Sequence, residues 1–152
     1  MSGSNIFSII GSALNAQDAR MGAIASNLAN VDSITQPGGV PYRAHEVVFQ
    51  ADPDSDPATG APDAPGALGE SGPTDSGVAI AGTVLSNAPL KTTYDPGSPY
   101  ADPQGYVTGS NVSQVSQMVD LVDSSNSYAA SVAVLQQASR VDQQMLSSFQ
   151  ES

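Results

Sequence analysis

From Asn111 to Ser152 the chain contains neither proline nor glycine. A run of that length with nothing to break it points to a single long helix. At a rise of about 1.5 Å per residue it would reach roughly 55 Å, more than the diameter of a compact domain of this size. Such a helix needs a long partner. Steps of three and four from Met118 give Leu121, Ser125, Tyr128, Val132, Leu135, Ser139, Asp142, Leu146 and Phe149, which predicts a thin apolar stripe on one face. Val122, Ala129, Ala138, Val141 and Met145 widen it. Asn111 and Gln114 have the spacing of an N-cap and its capping-box partner, and Gly105 and Gly109 precede them. The helix is therefore predicted to begin at Asn111.

A second proline-free stretch runs from Asn5 to about Asn30. Phe7, Ile10, Leu14, Met21, Ile24, Leu28 and Val31 recur in alternating steps of three and four, interrupted once by Gln17. This is a heptad seam, and a stripe of the same kind could also belong to an ordinary amphipathic helix lying on its own domain. The presence of a second long helix favours pairing. The predicted fold class is mainly α with a small β element, the N- and C-terminal helices forming an antiparallel, coiled-coil-like hairpin around an irregular middle segment.

That middle divides by composition. Residues 1–31 are the N-terminal helix of the core, 32–50 a loop and short strand, 51–76 an acidic insertion, 77–110 a small β and turn region, and 111–152 the C-terminal helix. Pro37, Gly38, Gly39 and Pro41 force an irregular loop before a strand over Arg43–Gln50. Between Ala51 and Ser76 lie five prolines, four glycines, six acids and no base, the composition of a flexible or disordered segment. Gly77–Ser86 and Lys91–Tyr94 read as strands, and Tyr106 with Val107 as a last strand edge after a proline- and glycine-rich turn region.

Charge excludes several functions. Fifteen acids stand against four bases, Arg20, Arg43, Lys91 and Arg140, for a net charge of −11. No basic patch exists to neutralise phosphates, so nucleic acid and anionic membrane surfaces are excluded as targets. No window is apolar enough to span a bilayer, and no direct membrane insertion is expected. With no cysteine there is no disulfide framework, thiol nucleophile or cysteine zinc site. No basic region precedes Ile6–Ile10, so a cleaved secretory signal is not expected.

Candidate chemistry is sparse. Asp52, Asp54 and Asp56 mimic the first ligands of a calcium loop, but Pro57 stands at the turn glycine and Asp63 at the bidentate glutamate. A solvated acidic loop explains them better. Gly69–Pro73, Gly-Glu-Ser-Gly-Pro, echoes a serine-protease nucleophile loop, yet a triad would depend on His45, the sole histidine. His45 sits in the expected strand beside Arg43 and Glu46, where an exposed or paired histidine is the ordinary reading. No phosphate-binding glycine loop is present. The sequence offers no catalytic residue, metal site or cofactor site.

Ala25, Ser26, Asn27, Leu28, Ala29 and Asn30 spell Ala-Ser-Asn-Leu-Ala-Asn, which resembles the N-terminal signature of the flagellar axial family of rod and hook proteins. Val31–Gln50 and Gly77–Val112 are similar to its proximal-rod members in particular, while Ala51–Ser76 is longer and more acidic than their pattern. The resemblance implies a structural subunit of the bacterial flagellar basal-body rod, crossing the periplasm and transmitting torque from motor to hook and filament. It implies export from the cytoplasm, unfolded, by the flagellar type III apparatus. It also implies helical assembly with copies of itself, other rod proteins, the basal-body base and distal-rod subunits, without catalysis. On this reading the assembly contacts fall on Phe7, Ile10, Leu14, Met21, Ile24, Leu28, Leu121, Tyr128, Val132, Leu135 and Leu146. Asn27 and Asn30 lock the junction between helix and loop, and Tyr42 and Arg43 anchor that loop against neighbours. A free-standing coiled-coil adaptor or secreted binding module with a disordered acidic loop is the alternative.

Overall fold

The computed structural model describes residues 3–51 and 77–150. Two helices dominate, α1 over Gly3–Ala29 and α2 over Gln114–Gln150. Between them come β1 (Ile34–Thr35), β2 (His45–Ala51), β3 (Val78–Leu85), β4 (Thr92–Tyr94) and β5 (Tyr106–Gly109). The architecture is mainly α with a small β element. Of the segment 51–76, Ala51 closes β2 and residues 52–76 lie outside the described residues, as do the calcium-like aspartates and the Gly69–Pro73 loop.

α1 stops where the signature ends. Asn30 and Val31 donate their backbone N–H groups to the carbonyls of Asn27 and Leu28, the i to i−3 bonds that tighten a last helical turn. The Asn30 side-chain amide donates to Ser26 O at 2.8 Å and satisfies one more terminal carbonyl. At the other end the expectation of an N-cap at Asn111 fails, because α2 begins at Gln114. Ser113 is the cap: its Oγ accepts from Ser116 N at 3.4 Å, and its carbonyl accepts from Gln117 N at 3.0 Å. The Asn111 side chain is engaged elsewhere.

The strands form two separate sheets. β2 and β3 make an antiparallel pair running from His45↔Leu85 to Ala51↔Val78, with a register shift between Val48 and Phe49. A bond from Ser86 N to Ala44 O at 2.8 Å extends the pairing. The second sheet is antiparallel in the order β1, β5, β4. β1, only two residues long, pairs through Ile34↔Gly109 and Thr35↔Thr108 and carries no alternation by which sequence could have announced it. β4 and β5 are joined by a turn in which Asp102 Oδ1 accepts from Gln104 N and Tyr106 N. Gly105 completes that turn with φ of 86°, and a Cβ there would stand 2.8 Å from the Tyr94 ring. Only glycine suits both conditions.

α1 carries structure on two faces. Ser12 Oγ accepts from Val78 N at 3.0 Å and Asn27 bonds to His45, so the row through Ser12, the buried Ala16 and Asn27 faces the β2–β3 pair. The adjoining row faces α2. There Asn27 meets Gln117, and Arg20 Nη2 lies 3.9 Å from Asp120 Oδ1. As position rises along α1 it falls along α2, so the helices run antiparallel.

The face of α2 turned toward α1 takes in only part of the stripe the periodicity picked out, of which Leu121, Val132, Leu135, Ser139 and Asp142 are half-buried. Met118, Ser125 and Tyr128 are exposed, whereas Gln117, Leu121, Ser124, Ser131, Val132, Leu135 and Ala138 are buried or half-buried. The inward face lies between the expected stripe and the row one residue before it, a rotation of about half the ~100° step between neighbouring residues. Small and polar side chains line the contact because they let two helix backbones approach closely, and the contacts to Asn27 and Arg20 fix the rotation. Val115, Met118, Val119 and Val122 are left outside.

Candidate functional site

The terminal helices and the β2–β3 pair meet at a knot of amide and hydroxyl side chains centred on Asn27, which is 1% exposed although it is polar. Its Oδ1 accepts from His45 N at 2.8 Å and from Tyr42 Oη at 3.1 Å. Its Nδ2 donates to His45 O at 2.9 Å and to Gln117 Oε1 at 2.9 Å. All four capacities of the amide are therefore filled, which is what permits its burial. With the Tyr42 proton directed at Asn27, its oxygen is left to accept from Ser26 Oγ at 3.2 Å and His45 Nδ1 at 3.0 Å. The Tyr42 and His45 rings lie 5.3 Å apart. His45 is thus a paired strand residue.

A second knot lies where α2 begins. Asn111 Oδ1 accepts from Ala44 N at 2.7 Å, and its Nδ2 donates to Ser86 O and Ala88 O, each at 3.1 Å. Arg43 donates from Nη1 to the same Ser86 carbonyl at 3.0 Å. Ser110, 1% exposed, donates from Oγ to Val31 O at 2.7 Å, and its N–H donates to Ser33 O at 3.2 Å. Residues far apart in the chain, 27 with 117, 31 with 110 and 44 with 111, are tied by a continuous hydrogen-bonded network. Because buried unpaired donors cost about 1–3 kcal/mol each, the network holds the helices and hairpin in one relative placement.

On its outer side the first turns of α2 carry an aliphatic row that the chain itself does not cover. Val115, Val119 and Val122 are 73%, 63% and 62% exposed, while Ser124 is fully buried. Met118 is also exposed and shares that outer side. Val115, Met118, Val119 and Val122 follow the three-and-four spacing of one helical face. An aliphatic row turned outward beside a serine row turned inward is the pattern of a helix that has a further neighbour to meet.

The residues singled out from sequence fall in three groups. Ile10, Ile24 and Asn27 are buried, and Phe7, Leu14, Met21, Leu28, Asn30, Leu121, Val132 and Leu135 are half-buried along the two-helix contact or at its junction. Tyr42 and Arg43 are half-buried and bonded within the chain. Tyr128 is exposed, and the Leu146 side chain lies outside the described residues. Sequence reasoning missed the tethers made by Ser110, Asn111 and Gln117 and the outward row at Val115 and Val119. Val115, Met118, Val119 and Val122 carried a signal, a second three-and-four row beside the first.

Comparison with known proteins finds matches at both ends of the chain. Residues 9–35 match the family model described as flagella basal body rod protein. Residues 104–148 match the model described as flagellar basal body rod FlgEFG protein C-terminal. The two matched regions hold most of α1 and most of α2, with Asn27, Ser110, Asn111 and Gln117 inside them. The chain is 47% identical over 131 residues to flagellar basal-body rod protein FlgC of Salmonella typhimurium, covering 86% of each protein. It is 42% identical to FlgC of Yersinia enterocolitica over the same share. To FlgC of Borreliella burgdorferi it is 35% identical over 126 residues, 80% of this chain and 81% of the relative. With an architecture of two terminal helices knotted at a buried asparagine, and relatives this similar over this much of their length, the chain belongs to the FlgC family of flagellar basal-body rod proteins.

Proposed function

We propose that the chain is a structural subunit of the flagellar basal-body rod and that it assembles helically through its terminal helices. The observation that carries this reading is the outward aliphatic row of α2, Val115, Met118, Val119 and Val122, left exposed on the side away from α1. A monomer gains nothing from exposed valines on a helix, whereas neighbours in a filament bury them at about 25 cal/mol per Å². Repeated contacts between unlike faces give an open helical array when the rotation does not close, and so a rod.

In this role the partners are copies of the chain, other rod proteins, and the subunits of the basal-body base and distal rod. The two helices form a coiled-coil-like antiparallel arm, and torque passes along bundled arms from motor to hook and filament. The junction around Asn27 keeps each arm at a fixed angle to its β segment, so that load is not lost in bending. Delivery is by the flagellar type III apparatus, from which the chain emerges unfolded. The half-buried seam residues Phe7, Leu14, Met21, Leu121, Val132 and Leu135 contribute contacts between arms as well as within them. No helix among the described residues is long and apolar enough to cross a membrane. The chain performs no catalysis in this role.

Complementation provides the test. In a flagellated strain deleted for its own copy of this subunit, the wild-type chain restores basal bodies and swimming, whereas a chain carrying Val119→Asp and Val122→Asp is produced and exported but restores neither. Full swimming with the double variant would contradict the assignment of the outer face.

A further inference from the structure

Between β1 and β2 the chain makes a loop that is exposed from Gln36 to Val40. Its near end is held by the pairing of β1 with β5 and its far end by Tyr42, whose hydroxyl donates to Asn27. Within it Gly39 N donates to Gln36 O at 2.9 Å, and Gly38 takes a φ of 83°. Pro37 and Pro41 fix two further backbone angles. A Cβ at Gly39 would stand 2.6 Å from Thr35 Cγ2, so the turn packs closely on its own base. On this frame Val40 is 93% exposed, more than any other large hydrophobic side chain among the described residues. A valine held out in water by an ordered loop is prepared for a partner, because docking it costs little conformational entropy.

Charge decides what that partner is. Two copies of a chain with a net charge of −11 meet only where acids are absent or are answered by a base. From Ser33 to His45 there is no acid, and Arg43 is the one charged side chain. Arg43 places Nη1 on the Ser86 carbonyl, which leaves other N–H groups of the guanidinium open. On α2 the complementary surface is the shallow trough lined by Met118, Val119, Val122, Asp123 and Asn126. Its one charge is the exposed carboxylate of Asp123, which has no ion pair among the described residues. The other apolar surfaces suit the trough less well. Val84 lies across the strands from Glu46, and the Tyr94 and Tyr106 rings have Asp95 and Asp102 close by in the chain. A second trough would set Asp123 against its own copy.

We propose that the Gln36–Pro41 loop of one copy docks on the outer row of α2 of a second copy, with Val40 seated among Met118, Val119 and Val122 and Arg43 drawn toward Asp123. This rests on the reading of the outer row as an assembly face, and it names what covers that face. Loop and trough are different surfaces, so the contact is heterologous and each copy offers both halves of it.

The chain has no cysteine, so introduced cysteines are read without background. In a flagellated strain deleted for its own subunit, two differently tagged copies are produced together, one with Val40→Cys and one with Val119→Cys. Intact basal bodies are then oxidised with copper phenanthroline. A dimer carrying both tags is expected, at least tenfold above that formed by Val84→Cys with Val119→Cys. A maleimide probe on the same rods separates the two readings. Val119→Cys shielded from the probe, with no cross-link to Val40→Cys, would overturn the loop as occupant and leave the assembly face standing. Val119→Cys labelled as fast as in the unfolded chain would overturn both. Where the cysteine variants fail to assemble, swimming serves. Val40→Asp, at an exposed site, should leave the thermal midpoint of the isolated chain unchanged and reduce swimming at least tenfold, and Asp123→Lys added to it should restore most of that loss. Swimming at the wild-type level with Val40→Asp alone, or a loss that Asp123→Lys does not relieve, would overturn the docking.

Discussion

Asn27 carries more of the fold than any single side chain named above, because one amide joins α1, β2 and α2. Asn27→Ala leaves the His45 N–H and carbonyl and the Gln117 amide without their partner. It should lower the unfolding free energy by about 2–4 kcal/mol, read from the midpoint of chemical denaturation. Asn27→Asp keeps the shape but puts an oxygen opposite His45 O and Gln117 Oε1, so it should be at least as damaging. Tyr42→Phe removes one bond at the edge of the network and should cost about 1 kcal/mol. A chain with Asn27→Asp as stable as wild type would show that the amide does not orient the junction. In the other sheet, Gly105→Ala introduces a side chain at positive φ and against the Tyr94 ring. A loss of about 1–2 kcal/mol in the same measurement is expected. The importance of Asn27 was legible in its motif. That of Asn111 was masked by a local signal: an asparagine three residues before a glutamine reads as a cap, whereas the atoms it bonds to, at Ala44, Ser86 and Ala88, are far off in sequence.

At the scale of elements, both helices were legible because proline and glycine are absent from α2 and proline is absent from α1. The strands β2, β3, β4 and β5 were legible from their β-branched runs. The rotation of α2 was legible only in part, for a physical reason. Its aliphatic residues are spread around the axis, so periodicity chooses a stripe only weakly, and the contacts of Gln117 and Asp120 with α1 decide. This rotation separates two kinds of variant. Leu28→Asp and Leu135→Asp put a carboxylate into the intrachain contact and should destabilise the chain itself by roughly 2–5 kcal/mol, seen as a lower thermal midpoint. Val119→Asp acts on the exposed face and should change the isolated chain by no more than about 0.5 kcal/mol while abolishing assembly. Ser147→Asp, exposed near the end of α2, should be mild in both assays. A fall in thermal midpoint for Val119→Asp equal to that for Leu135→Asp would mean that the assigned faces are wrong.

For the whole molecule, α2 has 37 residues and α1 has 27. The difference, 37 less 27 or 10 residues, carries α2 past the start of α1, so the arm ends in a single helix. That overhang and the outward valines describe a subunit whose packing is completed by neighbours, with the junction around Asn27 and Asn111 as its fixed point. The central claim is that the outer face of α2 is an assembly face. The most direct measurement is an image of intact basal bodies from a strain carrying this chain, at a resolution that traces helices in the rod. The account predicts the chain in the rod with Val115, Met118, Val119 and Val122 covered by adjacent subunits. A rod in which this row faces solvent, or in which the chain has no place, would contradict it.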